Sequence, residues 1–164
     1  MPDTRRKPSR PRRPQNLQGA IYGTVLALSV TAVGSEKETD VEVLVSVVAT
    51  AVVFWVVHVY ASVLAARLEH DAPIRASIRA EAEREWPLVQ ATAPIVVPLV
   101  LGTVGAVGDQ TGYWLAIVVG ILVLAGFGAR TARQKKASGT TVVVVALLNA
   151  VLGLTFVVLK VLVH

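Results

Sequence analysis

Val41–Ala66 reads VEVLVSVVATAVVFWVVHVYASVLAA, with Glu42 near its start as the one acidic or basic residue apart from His58. A helix rising about 1.5 Å per residue needs roughly 20 apolar residues to cross a 30 Å hydrocarbon core. The stretch is long enough, and it lacks the period-two alternation of a barrel strand. Lipid offers no partner to an open backbone, so a helix is the conformation that satisfies its own polar groups there. This segment sets the class of the protein.

Comparable blocks lie on both sides of it, at about 17–34, 87–107, 112–129 and 140–162. The expected fold is therefore an all-α membrane protein, with five transmembrane helices bundled over residues 17–164. Composition agrees. Hydrophobic residues make up 54% and charged residues 16% of the 164, with a mean hydropathy of +0.61, whereas a soluble domain carries about 25% charge. Cysteine is absent, which excludes disulfide and thiolate chemistry.

Charge placement gives an orientation. Arg5, Arg6, Lys7, Arg10, Arg12 and Arg13 crowd residues 1–16, a Pro- and Arg-rich stretch expected to be a disordered basic tail. The stretch is not read as a cleaved signal peptide, because no small-residue cleavage site follows it. Arg67, Arg75, Arg79 and Arg84 lie in the second inner segment, and Arg130, Arg133, Lys135 and Lys136 in the third. Outer segments keep Lys37 and Lys160. The positive-inside rule then puts the N-terminus in the cytoplasm and the C-terminus outside, in the cell membrane. The net charge of +5 thus reads as a topology signal and a contact for lipid headgroups, with no nucleic acid implied.

Between spans two and three, Asp71 and Ala72-Pro73 suit a helix start. Ile74, Ile78 and Ala82 then form one row, while Arg75, Arg79, Glu81, Glu83 and Glu85 take the other faces. A short amphipathic helix over 72–86 on the cytoplasmic surface is expected, closed by Trp86 and stabilised by pairs such as Arg79 with Glu83.

Polar groups inside spans are costly and mark candidate sites. His58 has Trp55 and Ser62 on its helical face, and an imidazole can relay protons or line a pore; it can equally hydrogen-bond a neighbouring helix. Asn149 shares a face with Ala146 and Gly153, which suits either helix packing or a pore lining. Span one carries Gln18, Tyr22 and Ser29 beside Gly19 and Gly23, a small-xxx-small spacing found at helix contacts. In span three, Gln90 and Thr92 precede Pro94 and Pro98, which remove backbone donors and should kink the helix. Tyr22, His58, Gln90, Thr92 and Asn149 all fall toward the cytoplasmic half and form a candidate pore or polar layer.

The closing stretch, ALLNAVLGL over 146–154 through VLKVLVH over 158–164, resembles the C-terminal helix of small membrane proteins of high-GC bacteria, a group that implies no activity. Trp55 and His58 also resemble the Trp-x-x-His of prokaryotic relatives of the lysosomal potassium channel. Their Phe-Ser-Asp signature stands here as Tyr22-Gly23-Thr24, without the acid, so the polar network it would imply does not carry over.

No metalloprotease, nucleophile-elbow or phosphate-loop motif occurs, and no acidic pair falls within an expected span. No enzyme activity, cofactor or metal site is expected. The leading expectation is a small oligomeric ion or proton channel or transporter. Its rival is a non-enzymatic accessory or scaffold protein that binds a partner through the surface helix or the tail.

Overall fold

A computed structural model describes residues 15–34, 39–69 and 74–163. The six basic residues of the tail, from Arg5 to Arg13, and the Asp71 cap lie outside these. All regular structure among the described residues is helical: α1 (Gln15–Val33), α2 (Asp40–Glu69), α3 (Ile74–Gln90), α4 (Ala93–Thr103), α5 (Asp109–Gln134) and α6 (Gly139–Val163).

Many of the large apolar side chains face outward. Only 17% of the most hydropathic stretch of α2 is buried, and 12% of that of α6. Val52, Val53, Val56 and Val57 on α2 and Leu147, Leu148, Val151 and Leu152 on α6 are all exposed. Such continuous apolar surface is foreign to a soluble monomer and is compatible with a membrane protein. Three helices, α2, α5 and α6, are long and apolar enough to cross a membrane. A fourth crossing is present if α3 and α4 count as one bent span. The expected first span is shorter than the others, its apolar part being the helix Leu17–Val33.

The expected boundary between a surface helix ending at Trp86 and a span beginning at Pro87 does not exist. α3 runs through Pro87 to Gln90, and the break comes at Ala91–Thr92, where α4 departs at 55°. Pro87 is tolerated inside α3 because Glu83, whose carbonyl it leaves without a helical donor, lies on the exposed face. Pro94 stands in the first turn of α4, where a missing N–H costs least. Thr24 repairs the break: its hydroxyl lies 2.9 Å from the Ala20 carbonyl and 3.3 Å from that of Ala91. Thr24→Val keeps the shape and strands the Ala91 oxygen in a buried place. It should lower stability by about 1–2 kcal/mol, read as an earlier midpoint when the detergent-solubilised protein is titrated with SDS.

α1 is the central helix, and it touches α2, α3, α5 and α6. Thr24, Ala27, Leu28, Thr31 and Ala32 on it are almost wholly buried. Around Leu28 gather Val43 and Val47 of α2, Ile95 and Leu99 of α4, and Ala116, Ile117 and Leu124 of α5. Glycines set the closest approaches. Gly23 lies against the Leu88 backbone of α3, and a methyl added at Gly120 would meet Leu28 at 2.9 Å. α4 ends in a Schellman turn, Ala106 N–H to Leu101 C=O at 3.0 Å, with Gly105 at φ 72° supplying the left-handed residue.

Candidate functional site

A cavity of about 350 Å³ opens at the end of the bundle where α1 begins and α2 ends. Its lining follows from helical spacing. Gln18 and Tyr22 are four apart on α1, His58 and Ser62 four apart on α2, and Glu81 and Glu85 four apart on α3, so each pair shares a face. Gly19, Ala65 and Ala66 leave the space open, and Arg84 reaches in from the rim.

The walls are tied together by specific contacts. Trp55 donates its indole N–H to the Ala82 carbonyl at 3.3 Å and stands edge-on to Trp86, with ring centroids 5.7 Å apart. The Ser62 hydroxyl donates to Glu85 at 3.4 Å. Arg84 meets Glu81 at 3.3 Å, and the Glu81 side chain is only 14% exposed. His58 Nδ1 lies 2.9 Å from the Phe54 carbonyl, one turn back on its own helix. A carbonyl can only accept, so Nδ1 carries the hydrogen in that contact and Nε2 is the ring atom left for other partners.

Of the residues expected to form a polar layer, Tyr22 and His58 line this cavity together. Gln90 is exposed at the end of α3. Thr92 is buried at the break and donates to the Val89 carbonyl at 2.8 Å. Asn149 is elsewhere: it donates to Val145 of its own helix at 2.9 Å and packs on Gly128 of α5. A methyl at Gly128 would stand 2.6 Å from the Asn149 amide nitrogen. Pro94 and Pro98 belong to the bent pair and do not line the cavity.

No family model, no curated protein and no solved structure matches this chain. The chemistry is therefore read from the residues themselves.

Sequence reasoning missed Glu81 and Glu85, which it assigned to the solvated faces of a surface helix. The row Glu81, Glu85 and Leu88 is the one that α3 turns toward its neighbours; Ile78, earlier on that side, and Trp86, beside Trp55, each stay 45% exposed. The outward Arg79–Glu83 pair forms at 3.1 Å. Leu88 was the available signal: it faces Gly19 and Gly23, and it shares its helical face with both cavity carboxylates. Among the described residues no three His, Cys, Asp or Glu side chains converge to hold a metal ion.

Proposed function

We propose that the protein is a multi-pass protein of the cell membrane that moves protons or small cations through an inward-facing vestibule. In this reading it has five spans, α1, α2, the bent pair α3 and α4, α5, and α6, with its N-terminus in the cytoplasm and its C-terminus outside. The charge bias along the chain supports that orientation, since Arg67, Arg84, Arg130 and Lys136 belong to inner segments. The vestibule is then the cytoplasmic mouth. The observation that carries the reading is His58, an ionisable group within the longest apolar helix, sharing a cavity with Glu81, Glu85 and Tyr22. The wide outer face of α6 gives a second copy room to pack, so the working form is a homo-oligomer.

Flux in proteoliposomes tests this, with protons, potassium, sodium and chloride offered in turn. Cation or proton flux is expected, falling at least about tenfold in His58→Ala and Glu85→Gln at equal amounts of folded protein, because each removes a group from the path. Silence from folded wild-type protein would overturn transport. It would favour the accessory reading, for which the exposed Ile78 and Trp86 of α3 offer a contact surface.

A further inference from the structure

The vestibule has more shape and more chemistry than a simple ion path requires. At about 350 Å³ it holds on the order of ten water molecules, each taking about 30 Å³ in the liquid. A bare inorganic ion in that space would touch protein on one side and water on the rest. The volume instead suits a molecule of several heavy atoms.

The charges select its sign. Glu81 is already answered by Arg84 at 3.3 Å. Glu85 receives only the Ser62 hydroxyl among the described residues, at 3.4 Å, and an ionised carboxylate has about four acceptor sites. One carboxylate is thus left to pair with a ligand, next to hydroxyl, amide and imidazole groups from Ser62, Gln18 and His58. An ammonium group brings three donors to such a set. The remaining lining, Gly19, Ala65 and Ala66 together with Tyr22, makes an apolar slot of small side chains and one aromatic ring, and an aromatic face attracts a cation.

We propose that this cavity binds a small monovalent organic cation, a protonated primary amine with a short hydrocarbon chain. The ammonium pairs with Glu85 and Ser62, and the chain lies along Ala65, Ala66 and Tyr22. Anions are disfavoured by Glu85, and bare inorganic cations leave the slot unfilled. The proposal rests on the same cavity as the transport reading but does not need the ion to cross.

Equilibrium calorimetry on the full chain in phosphatidylcholine nanodiscs tests it, with n-butylammonium chloride as the probe. Rubidium chloride and sodium butyrate serve as comparison ligands, and empty nanodiscs correct for partition into lipid. Saturable butylammonium binding is expected. Its Kd should rise at least tenfold in Glu85→Gln and in Ala66→Leu, which fills the slot without touching a charge. The outward Glu83→Gln should leave it unchanged. Should Glu85→Gln fail to fold, Ala66→Leu still decides the matter. No saturable heat, unchanged affinity in the cavity variants, or equal binding of rubidium or butyrate would overturn the proposal. Binding without flux would sink the transport reading alone, and flux without amine binding would sink this one alone.

Discussion

Gly23→Ala is expected to destabilise the bundle by about 3 kcal/mol, at the upper end of what overpacking costs. The added methyl would land on the carbonyl of Leu88, with the Leu88 Cα 3.2 Å away. These are backbone atoms, so no side chain can swing aside to make room. The next residue, Thr24, holds the Ala91 carbonyl, and parting α1 from α3 would break that bond as well. Gly126→Ala is the matched control, because a methyl there meets nothing within 4 Å. It should be neutral or stabilising by up to about 1 kcal/mol through helix propensity. SDS titration of both proteins reads the difference. Equal midpoints for the two variants would show that α1 and α3 do not meet at Gly23.

Gly112→Ala should cost about 2–3 kcal/mol by the same mechanism at the other end of the bundle. Asp40, the first residue of α2, is 2% exposed, and its carboxylate is tucked between Gly102 of α4 and Gly112 of α5. A methyl at Gly112 would fall on that carboxylate. It would also stand 2.9 Å from the Pro98 carbonyl and 3.2 Å from the Gly102 Cα. The first clash is with a side chain and the others are with backbone, which separates their consequences. Asp40→Ala should relieve the first clash and leave the rest, so the double variant should lose about 1 kcal/mol less than the two single losses together. Strict additivity would mean that the carboxylate does not occupy the gap between the glycines.

Hydropathy made the helices legible. The run from Val41 to Ala66 lies within α2; of the two prolines expected to kink the third span, Pro94 follows the break at Ala91–Thr92 and Pro98 lies inside α4. What hydropathy could not reveal was where α3 stops. Pro87 looked like a start, yet it sits inside a helix whose unbonded carbonyl lies on an exposed residue, and the true break needed Thr24 from another helix to complete it. The candidate site was half legible. His58 and Tyr22 stood out because polar residues in apolar runs are rare, whereas Glu81 and Glu85 lie in a charged stretch with Arg79, Glu83 and Arg84, where one carboxylate looks like another. In water the apolar row of an amphipathic helix turns inward. On α3 Ile78 stays 45% exposed, while Glu81 and Glu85, about one and two turns further along, line the cavity. Asn149 was conspicuous for the same reason as His58, but a side chain that bonds its own helix and rests on Gly128 is explained by packing.

The position of α1 bears on how the chain assembles. Leu28, near the middle of this early helix, meets Gly153 of α6 at what would be a 3.1 Å methyl contact, across almost the whole intervening sequence. The helix made early therefore waits for one made late, and its flank is sealed only after the ribosome has delivered α6. Until then the Thr24 and Thr31 hydroxyls have the carbonyls of their own helix, at Ala20 and Ala27, as partners. A chain stopped ahead of α6 thus leaves the flank of α1 at Leu28 without the cover that Gly153 gives it.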